Sequence, residues 1–455
     1  MAEPYRDVDA DRTERVALST PRSTPPSLGI ARSKRGALTC NGRELQELLD
    51  EARVGTPAYV YDLDAIGASA RAVVEALGTS GLCCYAIKAN GAPPIVARLI
   101  AEGCGVDVVS GGELQIALAC GAKPSTIVYS GVAKRDEELD LAIARGIRAI
   151  HVESVEEIER VAMRARAAGK RAVPIGLRVN PSVEVDTHDH IATGHDDAKF
   201  GIARDDLPRA FYAARQLTNE VRVISVSAHV GSQVMTPEPY VASMRVLCEI
   251  AKQARAQQFP LEYVDAGGGM GVAYRDGQRP MPASAFISAA LAELEKHELS
   301  DLSLVIEPGR ALVGAHGVLV SRVIQSKRSM SGGVERRWLL IDAGMNDLIR
   351  PALYQAHHRI EPLVLDAKET VQSFRVAGPV CESSDDFGVH PLPDPPPSIV
   401  AIRDVGAYGR SMASTYNTRP IASELFVSSG KVVAVRRAQT IDELVDDELS
   451  ADRAL

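Results

Sequence analysis

Three short segments hold side chains that could do chemistry together. In Tyr85-Ala-Ile-Lys88-Ala-Asn90 a lysine stands directly after an apolar run. Such a lysine is either a charge at the solvated end of a strand or, when desolvated, an amine nucleophilic enough to form an imine. Asp265-Ala-Gly-Gly-Gly-Met-Gly271 is a glycine-rich turn after another apolar run. It does not fit G-x-G-x-x-G, because Val272 stands where the last glycine should, and it lacks the Lys-Ser/Thr of a Walker loop. It is either a plain tight turn or a place where backbone N–H groups approach an anion such as a phosphate. Glu307-Pro-Gly-Arg310 sets a carboxylate beside a guanidinium. These form a surface ion pair or, next to a pyridine ring, a carboxylate that keeps the ring nitrogen protonated.

The elements that must position these groups follow from hydrophobic periodicity. Apolar runs at Leu82–Lys88, Val106–Ser110, Thr126–Ser130, Arg148–Val152, Val173–Asn180, Val221–Val230, Leu261–Ala266 and Ser303–Glu307 read as strands. Helical spacing lies between them. The stretch from Ser154 to Ala168 opens on a Ser154…Glu157 capping box and carries Ile158, Val161, Ala162 and Ala165 along one face. Strand and helix in regular alternation imply parallel βα units and a closed (β/α)8 barrel. Lys88, Asp107, Asn180, His229, the glycines after Asp265, and Glu307 then converge on the C-terminal rim, where such barrels place their active sites.

After Gly309 the pattern changes to strands at Gly317–Gln325, Arg337–Ile341, Ser373–Val376, Ser398–Arg403, Glu424–Val427 and Lys431–Arg437. Turn-rich loops such as Leu392–Pro397 separate them, and the stretch Asp347–His358 reads as helical, which together predict an antiparallel β-sandwich or barrel-like domain. The expected division is a disordered tail over 1–36, a segment over 37–59 joining the β domain, the barrel over 60–311 and the β domain over 312–455.

Bulk properties exclude several function classes. Hydrophobic residues are 45% and charged residues 24% of 455, ordinary for a globular chain, and no apolar run is long enough to span a membrane. A net charge of −8 with no basic cluster argues against a nucleic-acid partner. The seven cysteines form an odd set without a Cys-x-x-Cys pair, which fits reduced thiols in the cytoplasm. His188, His190 and His195 share one loop but lack a matching Asp/Cys arrangement, so no metal is expected.

Taken in order, the motifs resemble the alanine-racemase-like (fold type III) pyridoxal-phosphate decarboxylases, the diaminopimelate decarboxylase family most closely. Besides the three segments above, the matches are Asp107-Val-Val-Ser-Gly-Gly-Glu113-Leu, Arg178-Val-Asn180-Pro, Lys199-Phe-Gly-Ile202 and His229-Val-Gly-Ser-Gln233. Further along are Asp342-Ala-Gly-Met-Asn-Asp-Leu-Ile-Arg350-Pro-Ala-Leu-Tyr354, Gly378-Pro-Val-Cys381-Glu382-Ser and Gly406-Ala-Tyr408-Gly. The resemblance runs from about Pro57 to about Glu448 and implies decarboxylation of meso-diaminopimelate to L-lysine.

By that resemblance Lys88 holds the cofactor, His229 stacks on its ring, and Glu307 partners the pyridine nitrogen. Ser232, Gly268, Gly269 and Tyr408 form the phosphate cradle, with Asp107 and Asn180 in support. Arg310, Arg350 and Tyr354 clamp the substrate's distal carboxylate, although Arg310 is also placed to lean towards the phosphate, and Tyr408 adjoins the substrate. Cys381 and Glu382 resemble the pair that a second subunit lends, Cys381 near the reacting carbon and Glu382 on the distal ammonium, which implies a homodimer. Two departures lie near the site: Tyr354-Gln-Ala-His-His358 differs from the usual run, and Ser384 replaces a glycine in the Cys-Glu-Ser-Gly-Asp pattern. The alternatives are a decarboxylase of ornithine, lysine or carboxynorspermidine, whose substrates lack the distal carboxylate Arg350 would read, and a non-catalytic regulatory relative. The intact set of Lys88, His229, Glu307 and Cys381 stands against the latter.

Overall fold

Eight short strands, Gly81–Ala86, Gly105–Val108, Ile127–Tyr129, Ala149–Val152, Val173–Arg178, Val221–Ser227, Tyr263–Asp265 and Ser303–Ile306, pair in parallel and close into a barrel. Closure is made by the eighth against the first, with Leu304 opposite Gly81 and Ile306 opposite Cys83. All eight fall within the apolar runs seen in the sequence or one residue beyond them. The computed structural model describes residues 29–183, 199–366 and 370–450. His188, His190 and His195 lie outside the described residues.

Strand alternation explains how the barrel comes to hold a polar site. Cys84, Val128, Ala149, Ile224, Tyr263 and Val305 form a buried apolar cluster drawn from the barrel strands. Side chains two residues apart share a face. Two residues further along their strands come Ser130, His151, Asp265 and Glu307, all buried. An apolar layer thus carries a layer of titratable groups towards the C-terminal rim.

The helices are fixed locally before they pack. Ahead of the first strand, Leu63–Leu77 is capped by the Asp62 carboxylate, which accepts from the amides of Asp64 and Ala65. In Val155–Ala167 the Ser154 hydroxyl accepts from the Glu157 amide, and Ile158, Val161, Ala162 and Ala165 are buried as the spacing requires. Half of the expected capping box is replaced, however. The Glu157 carboxylate accepts from the Glu153 amide at 2.8 Å and from the buried Lys134 ammonium at 3.1 Å. A buried cation draws the carboxylate away from the Ser154 amide, because an unpaired ammonium there would cost more than an unmade cap bond.

Beyond the barrel lies a nine-stranded sheet. Together with the chain around it, it departs from the sequence expectation in four places. First, it is mixed rather than antiparallel: Val334–Ile341 runs parallel to Thr370–Ala377, and Ser423–Ser428 runs parallel to Ala58–Asp62. The second pair joins strands separated by the whole barrel, a crossover that no local pattern reveals. Second, Asp386–Asp394 is a strand, although its prolines and the Leu392–Pro397 run read as loop. It occupies the sheet edge, pairing only with Thr370–Ala377, and an edge tolerates Pro391 and Pro393 because no ladder partner needs their missing N–H. Third, the helix read over Asp347–His358 is confined to Arg350–Tyr354, ended by Gln355 in the left-handed region (φ 52). Fourth, in a separate three-stranded sheet, Ile30–Arg32, read as part of a disordered tail, pairs with Leu38–Cys40, and Arg32 donates to Glu361 at 2.6 Å.

Candidate active site

One cavity of about 160 Å³ opens at the rim where barrel and sheet meet. Its wall contains Lys88, His229, Ser232, Gly269, Glu307, Arg310, Arg350, Tyr354 and Tyr408. These residues come from the ends of barrel strands and from loops of the sheet, more than 300 positions apart in sequence.

The barrel end is a cluster of acids around one amine. Lys88 lies in the single turn Ile87–Ala89 directly after the first strand, with Nζ 3.3 Å from Asp107 Oδ2. Burial opposes its charge, but Asp107, with Tyr408 and Glu307, outweighs that and raises the pKa above its ordinary value. Asp107 Oδ1 is buried without a hydrogen-bond partner. Glu307 Oε1 accepts from the Ser130 hydroxyl at 3.2 Å and lies 3.7 Å from His151 Nδ1. Burial and the nearby Asp107 and Asp265 raise the Glu307 pKa well above the carboxylate range. His151 is held neutral, its pKa lowered to about 3 by burial and then by Lys134, and its ring nitrogens are taken by Ser130 and Tyr263. His151, Asp265 and Glu307 are compact enough to suggest a metal site, yet these hydrogen bonds already engage the imidazole.

Asp265 yields a testable consequence. Burial pushes its pKa up from 3.8 to about 7, against the pull of the Gly267 amide. A carboxyl raised in this way holds its proton in the folded state over a range where the unfolded chain has lost it. Its stabilising contribution is full below the unfolded value and is lost as pH rises through the folded one. The stability of the cofactor-free protein relative to Asp265→Asn is therefore expected to fall between about pH 4 and about pH 7 and to level off above that. A thermal-melt difference that does not change with pH would contradict this.

His229, just past the sixth strand, is half-buried, and its pKa is lowered by desolvation, Lys88 and Arg178. The glycine turn packs against it. A Cβ at Gly269 (φ 97) would strike the Gly231 carbonyl, and one at Gly268 would strike the Glu307 carbonyl, so backbone fills the space a side chain would take. Gly268 itself is not in the cavity wall.

The opposite end is cationic. Arg310 donates to Ser232 Oγ at 2.9 Å and to the Tyr274 hydroxyl at 2.6 Å, and its guanidinium lies 4.8 Å from the Tyr408 ring centroid. Arg350 donates to His358 Nε2 at 2.8 Å and lies 4.8 Å from the Tyr274 ring centroid. Arg310 and Arg350 are 6% and 5% exposed. Neither makes an ion pair with a carboxylate among the described residues; their titratable neighbours are neutral tyrosines and, for Arg350, the Arg310 guanidinium. Buried charges are normally paired, so two unpaired guanidinium groups in one wall mark a site for anions.

Besides Gly268, four expected site residues stand elsewhere. Asp107 touches Lys88 from behind the wall. Asn180 is buried and accepts from the Ser182 amide at 2.9 Å. Cys381 and Glu382 are exposed and outside the wall; the Cys381 amide donates to Asn417 Oδ1 at 3.0 Å, and Glu382 accepts from the Tyr416 hydroxyl. Sequence reasoning missed Tyr274, His358, His151, Ser130 and Met412. His151 and Ser130 left a signal as the inward-facing partners of Ala149 and Val128, and His358 as the end of the departing run Tyr354–His358, to which no role was given.

Pyridoxal phosphate fits this arrangement. Three buried carboxyl groups around one lysine lack the positive charge that a protonated pyridine ring would bring. The glycine turn with Ser232 and Arg310 offers what a phosphate needs.

Comparison with known proteins agrees. The pyridoxal-dependent decarboxylase family, pyridoxal binding domain, matches residues 63–314. Diaminopimelate decarboxylase of Zymomonas mobilis is 38% identical over 423 residues, covering 91% of this chain and 97% of its own. Among solved structures, diaminopimelate decarboxylase from Helicobacter pylori complexed with L-lysine superposes with a TM-score of 0.81 at 34% identity, over 90% of this chain and 100% of its own. The M. jannaschii enzyme in co-complex with L-lysine gives 0.84 at 31% identity, over 93% and 98%. The barrel, the nine-stranded sheet and the sequence likeness over nearly the whole chain converge: this chain belongs to the diaminopimelate decarboxylases, a family of pyridoxal-dependent decarboxylases.

Proposed function

We propose that the protein removes carbon dioxide from the D-configured centre of meso-2,6-diaminopimelate and yields L-lysine, the last step of lysine synthesis. The observation that carries this reading is the charge layout of the cavity, with an amine among acids at one end and two unpaired guanidinium groups at the other. A substrate with an amino-acid group at each end matches both. In this reading Lys88 holds pyridoxal phosphate covalently, His229 lies against its ring, and Glu307 faces the pyridine nitrogen. Ser232, Gly268, Gly269 and Tyr408 cradle the phosphate, and the Arg310 bond to Ser232 favours the phosphate side for that arginine. Asn180 supports the ring.

When bound, the cofactor supplies an electron sink for the pair left by the departing carboxylate. The protein's groups do the rest. Lys88 must shed a proton before its amine attacks a carbonyl, and Asp107 at 3.3 Å is the adjacent acceptor. Glu307, once next to a cationic ring, ionises, since an opposite charge reverses the effect of burial. Arg350 and Tyr354 bind the retained carboxylate and so orient the other end of the substrate towards Lys88.

We further propose a homodimer in the cytoplasm, divided as N-terminal segment 1–36, whose strand Ile30–Arg32 is paired, joining segment 37–59, barrel 60–311 and β domain 312–455. Support for the dimer comes from Cys381 and Glu382, which lie outside the cavity of their own chain on an exposed face. Across a dimer Cys381 would return the proton to the α-carbon, with Lys88 as the other donor within the site, and Glu382 would bind the distal ammonium. Mixing inactive Lys88→Ala and Cys381→Ala dimers under conditions of subunit exchange is then expected to restore about a quarter of wild-type activity, because hybrid dimers carry one intact site. Confirmed exchange without recovery would contradict the shared site.

The substrate reading is tested by offering the loaded enzyme meso-diaminopimelate, D-ornithine and D-lysine separately and following carbon dioxide. Release from diaminopimelate alone is expected. Release only from the two monocarboxylates would move the protein to another decarboxylase of the same fold, and none from any would favour a regulatory relative.

A further inference from the structure

Among the described residues Arg350 has no carboxylate to neutralise it, yet its guanidinium is held on one edge and one face. Nη1 donates to His358 Nε2 at 2.8 Å, and the plane lies over the Tyr274 ring, 4.8 Å from the centroid. His358 is 2% exposed, and its other nitrogen, Nδ1, is 2.9 Å from the Arg403 carbonyl oxygen. A carbonyl only accepts, so Nδ1 carries the ring proton and Nε2 is left as an acceptor for a guanidinium that only donates. Burial and then Arg350 hold the His358 pKa well below its ordinary value, which keeps that tautomer in place. Tyr274 packs edge-on against His358, ring centroids 5.1 Å apart, and its hydroxyl accepts from Arg310 at 2.6 Å. The Arg350 Nε–H remains buried without a hydrogen-bond partner.

We propose that His358, with Tyr274 as the stacking platform, is a specificity-determining positioning residue: by occupying one edge of Arg350 it fixes which guanidinium N–H groups remain for the carboxylate at the far end of the substrate. This rests on the reading that Arg350 binds that carboxylate. A guanidinium on a flexible stem gains specificity from a carboxylate only when its planar fork is oriented beforehand. The effect of His358 is therefore on binding of carboxylate-bearing ligands and on discrimination against ligands without one. It does not reach the reacting carbon at Lys88.

The test uses the cofactor-loaded enzyme, with L-lysine and cadaverine (lysine without its carboxylate) as probes of direct binding. His358→Phe keeps a buried ring but removes the acceptor; His358→Gln keeps an acceptor. With His358→Phe, L-lysine binding is expected to weaken and KM for meso-diaminopimelate to rise, each roughly ten- to a hundredfold, the worth of one bond to a charged group. The same variant is expected to keep kcat within about threefold, bound-cofactor absorbance unchanged and cadaverine binding unchanged. His358→Gln is expected to recover most of the loss. Tyr274→Leu tests the brace from its other side and is expected to weaken L-lysine in the same direction. Wild-type L-lysine binding in His358→Phe, or equal weakening of cadaverine, overturns the proposal. Arg350→Gln separates the two levels: if it leaves L-lysine binding intact, the reading of Arg350 falls and takes this inference with it. If it weakens L-lysine while His358→Phe does not, the inference alone falls.

Discussion

Lys88→Ala is expected to lower carbon dioxide release by about a thousandfold or more while leaving a folded protein that still binds pyridoxal phosphate. The expectation comes from the neighbours of Lys88. Asp107, Glu307 and Asp265 form a buried acid cluster that one ammonium helps to neutralise. Removing it takes away the amine that attacks the carbonyl and also the cation that offsets the acids. The phosphate cradle, built from Gly269, Ser232 and Arg310, is untouched, so non-covalent cofactor binding should persist. Borohydride reduction of the loaded wild type should fix the cofactor to the peptide carrying Lys88, and the variant should gain no such mass. Activity within about tenfold of wild type would remove Lys88 from the chemistry.

Arg350→Leu should act in opposite directions on function and stability. A buried guanidinium without a carboxylate costs the unliganded fold, and replacing it with an apolar side chain is expected to raise the melting temperature of the ligand-free protein. The same change should raise KM for meso-diaminopimelate roughly a hundredfold or more, since a charged, bidentate contact is lost. Arg350→Lys should recover little of this, because a point charge does not reproduce the planar fork. A variant that is both less stable and unchanged in KM would show that Arg350 is structural. The combination of higher stability and poorer binding is what separates a ligand-reading arginine from a packing one.

How much of this was legible in the sequence depends on how locally each feature is encoded. The eight barrel strands were visible because each is a short apolar run whose pairing partner is the next run along the chain. Lys88, Asp107, His229 and Glu307 were visible as polar residues ending or interrupting those runs. The sheet was legible only strand by strand. One interior member, Ala58–Asp62, pairs with Ser423–Ser428 across the whole barrel, and Asp386–Asp394 was hidden by prolines that only an edge position permits. Tyr274 was missed, and His358 was seen only as part of a departing run without a role, for a related reason. Each lies in irregular chain, and its role is defined by the arginine it meets, not by its own neighbours in sequence. His151 could have been found, since period-two alternation carries Ala149 inward and must carry His151 with it. Cys381 and Glu382 came from resemblance alone, and the single chain places them on an exposed face away from the cavity.

The measurement that bears most directly on the whole account is the fate of one carboxyl group. The loaded enzyme would be given meso-diaminopimelate labelled in the carboxyl of its D-configured centre, and carbon dioxide and product would be collected together. The expected result is label in carbon dioxide, matched mole for mole by unlabelled L-lysine. Label retained in the product, or no carbon dioxide at all, would contradict it.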